Sequence, residues 1–378
     1  MFPVDRILLD PAAENHDMTA RILGKLGDVP VCTVRPETLE KEIGPMPIHR
    51  GKRILYLSVH PGDMVKPCPG TGSPYLCCRY TVINQTTQCP MDCTYCVLQT
   101  YLEHPFITIF VNTGDVFDAI DRLLEKQPER LFRFGTGELG DSLALDPVTG
   151  FSADLLGYFS GKRNCIIELK TKTDQVETVI AHPVSHAVIS WSVNPPDLIA
   201  GQEFHTASLN ERLDASALCQ DHGFLTGYHF DPIIFTEGWE KMYEAVVDAI
   251  FSRVDGSRIA WISLGSLRFP PSMKYHLQKR FPAGMIGFQE MVRGMDGKFR
   301  YPRPLRTAMF RRIYRRIREH DAGVFVYFCM EPPWVWRQVT GDAPASNSDL
   351  DYRFARSLAR RFGHLNLDAP SREAYRPA

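Results

Sequence analysis

The sequence lacks any uninterrupted apolar run of the roughly 18 residues that a membrane-crossing helix requires. It also lacks an apolar leader near its start, so neither membrane insertion nor export is expected. There is no excess of charge of either sign. Lys and Arg total 43 against 44 Asp and Glu, a formal net charge of -1. This balance excludes a global attraction to nucleic acid or anionic lipid and leaves only local patches to do such work. No internal repeat or low-complexity tract stands out. What remains is a chain of 378 residues, 44% hydrophobic and 23% charged, the composition of a soluble globular protein with one large domain or two ordinary ones. Cysteine, by contrast, is plentiful. Ten cysteines in a chain expected in the reducing cytoplasm argue for metal or redox use rather than a disulfide framework.

Three of the ten fall in one short loop, Cys89-Pro-Met-Asp-Cys93-Thr-Tyr-Cys96. An apolar, β-branched run from Tyr80 to Asn84 precedes it, so a strand is expected to deliver three thiolates together at its C-terminal end. Soft thiolates at this density select zinc or an iron–sulfur cluster. Zinc usually draws four ligands from two paired knuckles, and no second Cys-x2-Cys follows. Three cysteines without a fourth suit a [4Fe–4S] cluster with one open iron, because a closed site would use four. Zinc and a reactive thiol loop are the alternatives. The motif closely resembles that of radical S-adenosylmethionine (SAM) enzymes.

The flanking sequence reads as an α/β protein. Residues 1–79 form a small N-terminal α/β unit, with strands at Arg6–Asp10, Val29–Val34 and Arg53–Val59 and a helix at Asn15–Leu26. Cys68, Cys77 and Cys78 near its end are auxiliary ligands or ordinary buried thiols. Over 80–285, strands alternate with helices. The expected strands are Ile107–Val111, Leu131–Phe134, Cys165–Leu169, Ala187–Val193, Leu225–Phe230 and Ile259–Leu264. About six such units match a partial (β/α)6-type barrel, in which the chemistry gathers at strand C-terminal ends. Residues 286–378 read as a basic extension packed on the barrel, with a strand at Val324–Met330, a short helix near Trp334 and a loosely structured end.

The strand ends supply the candidate ligand groups. Gly135, Thr136 and Gly137 let backbone approach a ligand closely, and Glu138 is able to accept from a ligand ammonium. The alternative is a glycine turn with a solvated Glu. Lys172 suits an anionic carboxylate. Ser192 and Asn194 are short polar groups fit for ribose or carboxylate. His229 is a proton-transfer group or a satisfied core histidine, and Arg268 suits an anionic substrate group. Within 293–318, Arg306, Arg311, Arg312, Arg315 and Arg316 are interleaved with aromatics, either as a phosphate-tracking surface or as a solvated helix face.

Taken together, Cys89-x3-Cys93-x-Tyr95-Cys96-x-Leu98-Gln99, Thr171-Lys172, Ser192-x-Asn194, Gly238-Trp239, Arg268-Phe269 and Phe328-Cys329-Met330-Glu331 resemble the spore photoproduct lyase family, in the family's order, over about residues 50–340. The resemblance implies a radical SAM barrel, a [4Fe–4S] cluster on Cys89, Cys93 and Cys96, and SAM near Tyr95, Gly135 to Glu138, Lys172, Ser192 and Asn194. It further implies a reductase, flavodoxin or ferredoxin as electron donor, a DNA photoproduct as substrate, and a cytoplasmic monomer. The chain departs from the family at two places. Glu138 stands where the hydrogen-donating cysteine is expected, and Val97 replaces one of two tyrosines. A carboxylic O–H is far too strong to give up a hydrogen atom as a thiol does. Cys329, Cys165 and Tyr95 are then the candidate donors, or the substrate has diverged. Modification of a peptide or small metabolite, and a non-catalytic iron–sulfur sensor, are the competing functions.

Overall fold

The computed structural model describes residues 2–70, 72–365 and 367–375. Its centre is an eight-stranded sheet containing seven parallel strands. In chain order these are β1 (Thr81–Ile83), β2 (Phe132–Gly135), β3 (Cys165–Thr171), β4 (Ala187–Ser192), β5 (Leu225–Ile233), β6 (Ile259–Ser266) and β7 (Phe325–Phe328). They lie side by side in sequence order, and Val65–Pro67 adds an antiparallel edge beyond β1. The β4 and β6 strands are buried along their whole length, which is why they read as continuous apolar runs. Helices such as Phe151–Phe159, Leu209–Asp221 and Trp239–Arg253 return the chain between strands. The helix over Leu209–Asp221 starts on a capping box, Ser208 and Glu211 each satisfying the other's backbone N–H.

A partial barrel leaves a gap between its first and last strands. Here the segment before β1 crosses it, with Leu76 N–H donating to Glu331 O at 3.1 Å just past β7. A second sheet packs beside the barrel, with Val31–Thr33, Arg6–Leu9, Ile54–Ser58 and Ile107–Phe110 parallel and Thr86–Thr87 antiparallel at the edge.

Two expectations are corrected. The strand at Ile107–Phe110 belongs to this second sheet and not to the barrel, because it pairs with Ile54–Ser58. The barrel count is restored by Thr81–Ile83 at one end and Phe325–Phe328 at the other. The chain after Trp334 does not end loosely but forms a 15-residue helix, Asn347–Arg361, started by Ser346, whose side chain accepts from Asp349 N–H. That helix buries Leu350, Phe354 and Leu358, and Phe354 packs on Trp261 of β6 and Phe325 of β7. Among the described residues no helix is long and apolar enough to cross a membrane.

Candidate active site

The cysteine loop leaves the C-terminal end of β1 and is clamped from both sides. Lys52, from the leading unit, donates to Met91 O and lies 3.2 Å from Asp92 Oδ1. Arg280, at the end of the helix over Pro271–Arg280, holds both Asp92 oxygens at 2.8 and 2.6 Å and Gln99 Oε1 at 2.5 Å. The Gln99 amide then donates to the carbonyls of Thr94 and Cys96 at 2.7 and 3.1 Å. Asp92–Cys93 also pairs antiparallel with Glu203–Phe204. Cys93 is buried, and Cys89 and Cys96 are partly exposed. Burial pushes the Cys89 thiol up to about 12, with Asp141 adding to the effect and Lys52 opposing it. Among the described residues no three His, Cys, Asp or Glu side chains are assembled as a metal site. A metal gathers its ligands as it displaces their protons, so the three sulfurs need not be assembled beforehand. The donor set itself, three soft sulfurs in one braced loop beside Lys52 and Lys172, fits an anionic metal–sulfur centre.

Behind the loop lies a buried polar hub that sequence reading missed. Glu203 accepts from the Tyr95 hydroxyl, from Asn194 Nδ2 at 2.8 Å and from Arg212 at 2.6 Å. The side chains of Glu203 and Arg212 are both fully buried. Asn194 Oδ1 in turn accepts from Tyr243 at 2.9 Å. Burial raises the Glu203 carboxyl, but Arg212 and Lys172 more than reverse this, so it stays charged. Tyr95 and Asn194 are therefore committed to Glu203, and both hold the loop's back wall. Ser192 is buried beside them, and its carbonyl accepts from Arg212 at 2.8 Å. Lys172 is the exception. Its ammonium lies 5.8 Å above the Tyr95 ring, and among the described residues nothing hydrogen-bonds it. Burial works against its charge, and Cys93 and Glu203 outweigh that.

The Gly-Thr-Gly-Glu turn after β2 is organised by Asp141. That carboxylate accepts from Leu143 and Ala144 N–H at 3.0 and 2.9 Å, from Thr171 Oγ1 at 2.7 Å and from Lys172 N–H at 2.8 Å. Thr136 donates to Ser142 Oγ at 2.7 Å. Gly135 is glycine for a reason internal to the barrel, since a Cβ there would lie 1.8 Å from the Tyr80 hydroxyl. Gly137 rests against the Lys170 side chain, with Cε 3.0 Å from where its Cβ would be. Glu138 is half-buried and makes no hydrogen bond or ion pair among the described residues. Burial raises its carboxyl, and Lys170 partly offsets this.

Across the mouth, Cys329 follows β7 and receives a hydrogen bond from Arg268 at 3.3 Å. Arg268 also pairs with Asp231 at 3.0 Å. Burial raises the Cys329 thiol, so it remains an S–H. Cys165 is the first residue of β3 and lies at the far end of that strand from Lys170 and the mouth. His229 turns into the barrel interior, where Glu168 accepts from it at 2.7 Å, from Ser190 at 2.6 Å and from Trp261 at 3.0 Å. It is a satisfied core histidine.

A family model for spore photoproduct lyase matches residues 77–319. The chain belongs to the spore photoproduct lyase family. Among curated relatives, the spore photoproduct lyase of Clostridium acetobutylicum is 25% identical over 216 residues, covering 56% of this chain and 64% of that protein. The Bacillus subtilis enzyme is 24% identical over 211 residues, covering 55% and 62%. The chain thus matches just under two thirds of the length of these relatives. Among solved structures, a spore photoproduct lyase mutant with bound AdoMet and dinucleoside spore photoproduct matches with TM-score 0.77 at 20% identity, over 86% of this chain and 99% of that one. A spore photoproduct lyase complexed with dinucleoside spore photoproduct gives the same values. At that identity the likeness speaks for the fold alone, a mixed α/β half-barrel.

Within this family member, the arginine-rich helix, Arg303–His320, is not a free basic face. Arg306 is buried against Glu331 at 2.9 Å, Arg312 pairs with Glu244 at 2.5 Å, and Arg316 pairs with Asp248 at 2.6 Å. Arg311 donates to Gln338 O at 2.9 Å. Of the five arginines expected to track phosphates, only Arg315 has no partner among the described residues. Glu331, Glu244 and Asp248, which hold Arg306, Arg312 and Arg316, lie on distant segments, which is why the stretch looked unneutralised in sequence. The unpaired cations stand instead at the mouth. Lys170 and Lys298 are half-buried, and neither ammonium is hydrogen-bonded among the described residues. Burial lowers the Lys298 ammonium, and Arg268 adds to the effect.

Proposed function

We propose that this chain is a radical SAM enzyme that acts on a DNA photoproduct, with a [4Fe–4S] cluster held by Cys89, Cys93 and Cys96 and SAM bound beside it. Such a cluster supplies the electron that splits SAM into methionine and a 5′-deoxyadenosyl radical. The observation that carries the reading is the braced three-thiol loop at the C-terminal mouth of the barrel, with the Lys172 ammonium next to Cys93 and the Glu138 carboxylate on the neighbouring strand end, neither hydrogen-bonded among the described residues. Lys172 is free to take the SAM carboxylate and Glu138 its ammonium, while Gly135, Thr136 and Gly137 shape the turn that presents them. Tyr95, Ser192 and Asn194 act from the back wall, fixing the loop through Glu203 and Arg212. Cys329, a protonated thiol at the opposite rim, is the group able to return a hydrogen atom where Glu138 is not. Lys170, Lys298 and Arg268 would receive the phosphate of the nucleotide. A flavodoxin, ferredoxin or reductase would deliver electrons to a cytoplasmic monomer.

The test is anaerobic reconstitution with iron, sulfide, SAM and a strong reductant, with and without ultraviolet-irradiated DNA. Expected are 5′-deoxyadenosine formation and altered dinucleotide products. No 5′-deoxyadenosine would refute the enzyme and leave a metal sensor. Binding to DNA that does not change with salt would refute the nucleic-acid substrate in favour of a peptide or metabolite.

A further inference from the structure

Three cysteines outside the proposed cluster site lie together on the segment that crosses the barrel's open side. The strand Val65–Pro67 pairs antiparallel with β1, and Cys68 N–H donates to Tyr80 O at 2.7 Å as that pairing ends. The chain then turns through Gly70, at φ +55, and comes back past Cys77 and Cys78. The fit at Gly70 is close, because a Cβ there would lie 2.7 Å from Cys77 Sγ. The sulfurs form a line, with the Cys77 side chain hydrogen-bonded to Cys68 on one side and to Cys78 on the other. The Arg133 guanidinium, stacked 3.6 Å from the Phe354 ring centroid, donates to the Cys78 carbonyl and stands beside its sulfur. The return segment is pinned on both flanks of the sulfurs, with Cys77 N–H on Asn347 Oδ1 at 2.8 Å and Arg79 on Ser348 Oγ at 3.0 Å. All three cysteine residues are partly exposed.

We propose that Cys68, Cys77 and Cys78 form a redox-active thiol site in which Cys68 and Cys77 close a disulfide, with a low-molecular-weight disulfide as oxidant. The Cys68 thiolate attacks the reagent RSSR, forming Cys68–S–S–R and expelling RS⁻. Cys77 passes its proton to that thiolate and attacks the Cys68 sulfur, expelling the second RS⁻. Two protein thiols and one RSSR thus become one protein disulfide and two RSH. Cys77 and Cys78 are the wrong pair, because neighbouring Cα atoms are only about 3.8 Å apart and an unstrained disulfide needs roughly 4.4–6.8 Å. The remaining sulfur, Cys78, is held well below the usual thiol range by the Cys77 S–H and by Arg133, against the effect of burial. It is the sulfur an alkylating reagent meets as thiolate.

The test uses the full chain, reduced, then titrated with glutathione disulfide, alkylated and mapped by proteolysis and mass spectrometry. Expected are a Cys68–Cys77 crosslinked peptide that has lost two hydrogens, two glutathione molecules released per crosslink, and Cys78 alkylated roughly tenfold faster than Cys219 before oxidation. In Cys77→Ser the mixed disulfide on Cys68 should persist. If that variant misfolds, Cys68→Ser serves, and it should form no intramolecular bond within this segment. A trio that stays reduced while Cys89, Cys93 and Cys96 crosslink would overturn the proposal. So would stoichiometric zinc that is lost in Cys77→Ser. None of these readouts uses SAM, so their failure is separate from any failure of the radical SAM reading.

Discussion

Two trios of cysteine lie within 30 residues of each other and are built for different purposes. Cys89, Cys93 and Cys96 sit on a loop whose backbone is fixed by Lys52, Arg280, Gln99 and the strand pairing with Glu203, and no hydrogen bond links their side chains among the described residues. Cys68, Cys77 and Cys78 touch one another, and the polar contacts around them secure only the neighbouring backbone. A braced loop presents thiols for a metal to gather, whereas thiols already in contact are placed to exchange with one another. The residue type is the same in both, and the surrounding scaffold decides the chemistry.

The largest expected effect separates the trios outright. Cys93→Ala should remove iron from the reconstituted protein and with it all SAM cleavage, while Cys77→Ala keeps its iron in full; equal iron in both variants would erase the distinction. Next comes the frame behind the first trio. Glu203→Ala strands the fully buried Arg212 charge and should cost about 3–5 kcal/mol of unfolding free energy. Its denaturant midpoint should fall accordingly, and alkylation of Cys78 should not change. A third effect probes the barrel interior that both regions share. Burial raises the Glu168 carboxyl, but His229 and the hydrogen bonds to it prevail and bring it down to about 2. A carboxyl lowered on folding stabilises the native state above its unfolded value near 4.5 and loses that contribution as pH falls toward 2. The loss should be on the order of 3 kcal/mol, seen in urea unfolding across that window, and Glu168→Gln should flatten the slope.

The first trio was legible in the sequence because its spacing is local, and so were most barrel strands, whose apolar runs are long and bounded. Ile107–Phe110 was legible as a strand but not in its address, since an apolar run carries no record of which sheet it joins. The Glu203 hub was not legible at all. Its bond to Tyr95 spans 108 residues, and no motif ties Glu203 to Arg212 or Asn194. The arginine-rich helix misled for the same reason, because Glu244, Asp248 and Glu331 neutralise it from other elements. The terminal helix was within reach. Ser346 and Asp349 cap a pattern of Leu350, Phe354 and Leu358 at spacings of four, which marks an amphipathic helix after an N-cap.

The smallest effect concerns how far the clamp reaches. Arg280 is 18% exposed and Asp92 16%, so the pair is desolvated enough to matter but not sealed. Arg280→Ala removes two charge-assisted bonds to Asp92 and one to Gln99 while leaving Lys52 and the Glu203 strand pairing in place. A local loss of about 2 kcal/mol follows, a little under that for a fully buried charged bond. Amides of residues 92–99 should then exchange hydrogen roughly 30-fold faster, and amides of residues 75–80 should not change. Acceleration in both segments would mean that the loop and the seam move as one unit, and the contrast between a rigid ligand frame and a separate thiol line would have to be given up.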